Sequence, residues 1–167
     1  MKKQTKPSSG AELHMYTDKG KTNRRGICIL LLFIILSLIL IGLFARPVVI
    51  KGESMSPALS DGDIVLLNIS AYISEPPDHG DIVCINGNAY GEEIFHPNAI
   101  KRVYALPYET IADKGEKYAG KEVPSRHIFV LGDNERDSID SRQIGPIGAN
   151  DLMGKAWVKL WPNPELL

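Results

Sequence analysis

The sequence predicts a mostly β domain behind a single N-terminal transmembrane helix. An uncharged apolar run lies near the N-terminus, between Arg25 and Arg46. Beyond it, short segments rich in valine, isoleucine and aromatic residues alternate with clusters of Gly, Pro, Asn and Asp. Such alternation is typical of an antiparallel β-sheet or barrel-like domain. No stretch there has the long 3.6-residue period of an amphipathic helix.

The apolar run covers residues 27–45 and reads ICILLLFIILSLILIGLFA. As a helix it extends about 28 Å, close to the ~30 Å hydrocarbon core of a bilayer. We therefore predict a transmembrane anchor over residues 26–46. A cleavable signal peptide is the alternative, but its apolar core is usually ~7–15 residues long. The segment that follows here, ARPVVIKGESM, has no clear small-x-small cleavage motif.

Charges are distributed unevenly around the anchor. Residues 1–25 carry seven Lys or Arg and two acidic residues, whereas residues 46–167 carry twelve basic and eighteen acidic ones. Since basic flanks stay inside, we expect residues 1–25 to be a cytoplasmic tail of a single-pass cell-membrane protein. Residues 47–167 then form an extracytoplasmic β-rich domain, and membrane lipid is a partner. The acidic excess of that domain argues against nucleic acid as a partner.

Six segments of the later part are expected to be strands, because each is apolar and is bounded by turn residues. They are residues 64–68, 82–86, 99–106, 109–113, 127–134 and 154–161.

The cysteines and histidines predict neither a disulfide nor a metal site. Cys28 lies in the apolar run and Cys84 in a predicted strand, so we do not expect them to pair. The four histidines are scattered without the spacing of zinc ligands.

Three polar segments are candidates for chemistry. Residues 52–59 read GESMSPAL, residues 100–103 read IKRV, and residues 132–142 read GDNERDSIDSR. Taken singly, each has an ordinary structural interpretation: a proline-containing turn, a strand lysine with its stem on apolar surface, and a loop with Asx hydrogen bonds. Their occurrence together, in this order and behind a basic tail and one span, indicates a function.

These segments resemble the motifs of bacterial type I signal peptidases, a family of membrane-anchored serine proteases. There a Ser-Met-x-Pro motif just past the anchor carries the nucleophile, here Ser54, and a Lys-Arg-Val strand carries the general base, here Lys101. A Gly-Asp-Asn…Ser-x-Asp-Ser-Arg segment supports the site, and residues 154–162 resemble the last strand. Lysine as the base favours the bacterial or organellar type, because the endoplasmic-reticulum type carries histidine there.

The resemblance implies a serine–lysine mechanism that needs no metal and no organic cofactor. A serine hydroxyl must lose its proton to a base, and a lysine accepts that proton only when it is neutral. Burial lowers a lysine pKa by up to ~3–5 units. Neutral Lys101 would deprotonate Ser54, which would attack the scissile carbonyl. Water activated by Lys101 would then hydrolyse the acyl-enzyme.

The resemblance also implies supporting roles. Ser138 matches the family serine that hydrogen-bonds and orients the lysine. Asp140 and Arg142 are expected to pair and hold their loop rigid, with Asp133 in the same network.

The Ser54 backbone N–H is one expected oxyanion donor. Some family members add a hydroxyl two residues earlier, where this chain has Gly52. Either the Gly52 backbone or a water then supplies the second donor, or the oxyanion hole is weaker. Tyr108 and Glu135 stand where the family usually has Gly and Arg, which suggests a divergent member.

The implied substrates are exported preproteins cut after small residues, typically alanine at the first and third positions before the cut. Met55 and Ile100 are expected to line the shallow pockets that select those residues. Three alternatives stay open. They are a related Ser/Lys protease dedicated to one pilin, conjugation factor or surface protein, a catalytically inactive membrane-tethered homologue, and an unrelated single-span protein with a β domain.

Overall fold

The computed structural model describes residues 24–93, 97–112 and 117–167. The chain divides into an N-terminal unit that ends at Ile39 and a second compact unit, Leu40–Leu167.

Helix α1 (Arg24–Phe44) contains the apolar run of the sequence. Its 21 residues extend roughly 31 Å, which is long enough to cross a bilayer. Ser37 Oγ donates to the Phe33 carbonyl at 2.8 Å, so this hydroxyl is satisfied within the helix. The helix ends two residues before the predicted end of the anchor. Of the predicted basic tail, residues 1–23 lie outside the described residues.

Eight strands and two short α-helices follow α1 in the described residues. The strands are β1 (Ala45–Val49), β2 (Ile64–Asn68), β3 (Ile82–Asn86), β4 (Asn98–Ala105), β5 (His127–Leu131), β6 (Ile147–Gly148), β7 (Leu152–Trp161) and β8 (Glu165–Leu166), and the helices are α2 (Ala71–Ser74) and α3 (Ser141–Ile144).

The strands form one antiparallel sheet in the order β1-β2-β7-β3-β4-β5-β6. The ten-residue strand β7 pairs with β3 through its first half and with β8 through its second half. The predicted mostly β, antiparallel fold is therefore confirmed, as an open sheet with β1 and β6 as its outer strands.

Five of the six predicted strands occur, and two of them, β2 and β3, have the predicted bounds. The strand predicted over 109–113 is wrong in the described residues, where Thr110 makes only an isolated bridge to Glu122. Strands β1, β6 and β8 were not predicted. β1 was missed because its first two residues were assigned to the anchor, and β6 and β8 because two residues are too few to show a period.

The residues of β4 alternate between two hydrophobic clusters, and this alternation decides where its lysine points. Ile100 packs in a cluster with Met55 and Leu59, whereas Ala99 and Val103 pack in another. Since successive strand side chains point to opposite faces, Lys101 shares the face of Ala99 and Val103. Lys101 is accordingly buried, with 4% of its surface exposed.

Candidate active site

Ser54 lies on a long loop, residues 50–63, that connects β1 to β2. The base of this loop is closed by two backbone hydrogen bonds, from Ile50 N to Asp63 O at 2.8 Å and from Gly62 N to Ile50 O at 3.1 Å. The Asp63 carboxylate pairs with Lys159 of β7 at 3.0 Å in a largely buried contact. The buried Met55 and Leu59 anchor the middle of the loop in the core. The nucleophile candidate therefore stands on a fixed segment.

Lys101 and Ser54 are 47 residues apart in the chain and meet in the fold. Lys101 Nζ lies 2.8 Å from Ser54 Oγ. No other hydrogen-bond partner of Nζ is present in the described part of the chain. Desolvation by burial, assisted by the charge of Arg142, lowers the pKa of Lys101 from 10.5 to about 8, against the opposing charges of Asp140 and Asp133. The amine is thus a far better proton acceptor than a solvated lysine.

Asp140 is the centre of a buried hydrogen-bond network behind this pair. As the N-cap of α3, its carboxylate accepts from Arg142 N at 3.1 Å, and it also accepts from Arg142 Nε at 2.9 Å and Nη2 at 2.8 Å. It further accepts from Gly132 N at 2.9 Å and from Ser138 Oγ at 2.8 Å. Burial alone would raise the pKa of Asp140, but these donors hold the pKa below its ordinary value. The predicted Asp140–Arg142 pair is present, as a helix cap.

Two predicted members of the network are placed differently. The Ser138 hydroxyl donates to Asp140, and no hydrogen bond joins it to Lys101 within the described residues. Asp133 does not join the Asp140–Arg142 network either. It forms a two-pronged ion pair with Arg102, at 2.8 Å to Nε and 2.6 Å to Nη2, because the chain bends at residues 133–134 and leaves this side chain against β4.

Gly132 lies between the network and Ser54. A Cβ atom built on Gly132 would fall 2.2 Å from Ser138 Oγ and 2.6 Å from the Ser54 carbonyl oxygen. Such distances are impossible for real atoms, so no side chain fits here. The absence of a side chain at 132 allows the 132–142 segment to pack directly against the Ser54 backbone.

The two expected oxyanion donors, the N–H groups of Ser54 and Gly52, differ in their hydrogen bonding. Within the described residues the Ser54 N–H has no hydrogen-bond acceptor. The Gly52 N–H donates to Asp61 Oδ1 at 2.8 Å, so it is committed to the turn that closes the loop. The structure therefore favours Ser54 over Gly52 as a donor to a bound group.

A groove of about 350 Å³ leads to Ser54 and Lys101. Met55 and Ile100, predicted to form pockets, are among its lining residues and are largely buried. The remaining lining residues are Val48, Val49, Ile50, Lys51, Gly52, Glu53, Pro97, Asn98, Ala99, Asp137 and Ile139. A mostly apolar groove beside one reactive pair suits an extended peptide with small apolar side chains.

Three residues near the site were not singled out from the sequence. Asn134 contacts the backbone of Glu53 and Ser54, Asp61 holds Gly52, and Arg102 holds Asp133. Asn134 belongs to the Gly-Asp-Asn motif, so the motif could have indicated it, whereas nothing in the sequence marks Asp61. No group of three His, Cys, Asp or Glu side chains that could hold a metal occurs among the residues that the structure describes.

A serine hydroxyl beside a buried amine, at the end of an apolar groove, is the kind of site found in serine peptidases. The chain matches the family model described as signal peptidase, peptidase S26, over residues 24–119 and 112–161. The chain belongs to this family, and the predicted resemblance is confirmed.

Relatives in three lineages are similar to this chain. A probable signal peptidase I-2 of Synechocystis sp. is 29% identical, over 70% of this chain and 63% of its own length. A signal peptidase I of Bacillus caldolyticus is 31% identical, over 68% and 78%. The mitochondrial inner membrane protease subunit 2 of Mus musculus is 35% identical, over 70% and 66%. The chain therefore spans slightly less than two thirds of the cyanobacterial and mouse proteins.

Gly132→Ala should destabilise the protein and disturb the active pair, because the added methyl group overlaps the Ser54 carbonyl and the Ser138 side chain. Overpacking of this kind costs about 1–3 kcal/mol. Thermal unfolding of the full chain in detergent measures the effect. Gly148→Ala is the matched control, since its Cβ would lie 3.3 Å from the end of the Asp151 side chain, which can move. Equal melting temperatures for the two variants would contradict the expected overlap.

Asp140→Asn should destabilise more strongly, by about 3–5 kcal/mol, because it breaks a buried ion pair and turns an amide NH₂ toward hydrogen-bond donors. The measurement is urea denaturation of the full chain in detergent. Asp133→Asn removes a more exposed ion pair and should cost only about 1 kcal/mol. The prediction is wrong if the cost at Asp140 does not exceed that at Asp133.

Proposed function

We propose that this chain is a membrane-anchored serine endopeptidase that removes signal peptides from exported preproteins, with Ser54 as nucleophile and Lys101 as general base. The single observation that carries the proposal is the 2.8 Å approach of a buried lysine amine to a serine hydroxyl at the end of an apolar groove. Membership of the S26 peptidase family supports the same reaction.

The reaction begins with proton transfer. With a pKa of about 8, roughly one Lys101 in ten is neutral at pH 7, compared with about one in a few thousand for a free lysine. Neutral Nζ accepts the proton as Ser54 Oγ attacks the scissile carbonyl carbon. The negative charge that develops on the carbonyl oxygen is stabilised by the Ser54 N–H.

The tetrahedral intermediate then collapses. The carbon–nitrogen bond breaks, and the Lys101 ammonium returns its proton to the departing amine, which is the new N-terminus of the mature protein. The signal peptide remains esterified to Ser54. Lys101, neutral again, takes a proton from a water as that water attacks the ester carbonyl carbon. The bond to Ser54 Oγ then breaks, the Lys101 ammonium returns the proton to Ser54 Oγ, and the signal peptide leaves with a free carboxyl terminus.

The anchor explains how enzyme and substrate meet. We propose that α1 spans the membrane once, with the basic N-terminal tail in the cytoplasm and the β-domain outside it. A site held at the membrane surface suits a substrate whose own apolar segment is still in lipid. Small residues before the cut would fit the groove floor at Met55 and Ile100.

Ser54→Ala and Lys101→Ala should each reduce preprotein cleavage by at least about a thousandfold, because each removes one half of a unit that acts together. The assay uses the full chain in detergent with several preproteins that carry alanine at the first and third positions before the cut. Ser125→Ala and Lys121→Ala, which change exposed residues of the same types, are the matched controls and should keep wild-type activity.

Three results would change the proposal. Retained cleavage in either dyad variant would falsify the serine–lysine mechanism. Cleavage of one preprotein alone would indicate a dedicated protease. No cleavage by the wild-type chain would indicate an inactive homologue.

The pH dependence of kcat/KM should follow deprotonation of Lys101. The pKa of this lysine is lowered to about 8, and its active form is neutral, so activity should rise about tenfold per pH unit below 8 and level off above it. Asp133→Asn removes a negative charge that raises the pKa of Lys101, so its acid limb should lie at lower pH. An acid limb below pH 6 in the wild-type chain, or a shift to higher pH in the variant, would contradict this assignment.

A further inference from the structure

In the peptide group between Glu53 and Ser54, the C=O is hydrogen-bonded, whereas the N–H has no partner in the described part of the chain. The Glu53 carbonyl oxygen accepts two hydrogen bonds, from Asn134 Nδ2 at 3.1 Å and from the Ser56 backbone N–H at 3.1 Å. The Ser54 N–H, on the same peptide group, has no acceptor within the described residues. The next carbonyl, that of Ser54, accepts from the Asn134 backbone N–H at 3.0 Å. One residue of the 132–142 segment therefore holds two successive carbonyls of the nucleophile loop.

Holding the carbonyl also sets the direction of the N–H. The Glu53–Ser54 bond is not among the cis peptides of the chain, so its C=O and N–H point in opposite directions. With the carbonyl held toward Asn134, the Ser54 N–H must point away from Asn134. A rotation of this peptide would reverse the two groups and bring an oxygen to the place where a donor is required.

The Asn134 amide is itself fixed in one orientation. Its Nδ2 donates to Asp137 Oδ2 at 3.0 Å as well as to the Glu53 carbonyl. Both neighbours are acceptors, so a flipped amide would place its oxygen against two oxygens. Asp137 thus holds Asn134, and the Asn134 amide, together with the Ser56 N–H, holds the peptide group.

Neighbouring backbone groups cannot readily replace this donor. The Gly52 N–H is already bonded to Asp61, and the oxyanion needs donors that are preorganised and do not move during the reaction. The Ser54 N–H is therefore the main backbone donor near Ser54 Oγ, and its orientation matters more than in a site with two strong donors.

We propose that the Asn134 side chain is a positioning residue that aims the Ser54 N–H at the developing oxyanion. This inference rests on the proposed function, since it presupposes that Ser54 attacks a peptide carbonyl. Asn134 acts through the peptide group that it holds and does not contact the reacting atoms.

The experiment compares two inhibitors on the full chain in detergent. A peptide aldehyde with alanine at the first and third positions before its carbonyl forms a hemiacetal with Ser54, whose oxygen needs the N–H. The corresponding peptide alcohol fills the same groove but has no carbonyl to be attacked. Asn134→Ala and the isosteric Asn134→Asp both remove the amide donor. Asn150→Asp makes the same change at an exposed asparagine and is the matched control.

We expect Asn134→Ala to lower kcat by about ten- to a hundredfold, less than the ~10²–10³-fold loss on removal of a whole oxyanion donor. KM and the affinity for the alcohol should stay within about threefold of wild type, and the affinity for the aldehyde should fall with kcat. The acid limb of the pH profile should stay in place in Asn134→Ala, because Lys101 is not touched.

Asn134→Asp should lose aldehyde affinity as Asn134→Ala does, and Asn150→Asp should behave as wild type. Unchanged aldehyde affinity in Asn134→Ala, or equal losses for aldehyde and alcohol, would overturn the proposal, the latter by indicating a general disturbance of the groove. Failure of the wild-type chain to cleave any preprotein would instead count against the proposed function, so the two failures are distinguishable.

Discussion

The site depends on excluding water from the Lys101 amine, which lies beside the Ser54 hydroxyl. Burial is what lowers the pKa of Lys101, and the 2.8 Å approach to Ser54 is what makes that change useful. Strand alternation in β4 supplies the burial, because it places Lys101 on the same face as Ala99 and Val103. The closed base of the 50–63 loop supplies the approach, because it leaves the serine little freedom to move. Neither element suffices without the other.

The 132–142 segment joins these two elements. Gly132 permits contact with the Ser54 backbone, and Asn134 holds the carbonyls of Glu53 and Ser54. Asp140 fixes the segment from behind through bonds to Gly132, Ser138 and Arg142. A dense polar motif therefore serves chiefly to set backbone positions. This explains why substitutions at Gly132 and Asp140 are expected to affect stability as well as the reaction.

The sequence was sufficient to predict the class of fold and to single out Ser54 and Lys101, which the fold brings together. It was insufficient for the connections among the supporting residues. Strands such as β2 and β3 could be placed because apolar runs lie between clear turns. The direction of Lys101 could not be decided, since alternation gives two faces and does not say which one is buried.

Asp133 and Ser138 have hydrogen-bond partners that differ from the expected ones, for a related reason. Spacing along a loop does not fix the directions of its side chains, and the bend at residues 133–134 leaves Asp133 paired with Arg102 rather than with its neighbours. Gly52 has no side chain from which a role could be predicted. Its N–H donates to Asp61, which lies nine residues away in the chain. Long-range contacts of this kind have no local signal in the sequence.

The carboxylates near Lys101 have two opposing effects on the site, and pairing with arginine side chains reconciles these effects. A carboxylate near the Lys101 amine stabilises the protonated form and so raises the pKa of the lysine. Both Asp140 and Asp133 have this effect. Yet Asp140 is needed to fix the 132–142 segment. Each carboxylate lies against a guanidinium, Asp140 against Arg142 and Asp133 against Arg102. The positive charge of Arg142 lowers the pKa of Lys101 and so opposes Asp140. Because arginine remains protonated at all relevant pH values, this compensation holds while the lysine gains and loses its proton. The same carboxylate can thus support the backbone of the site without preventing Lys101 from becoming neutral.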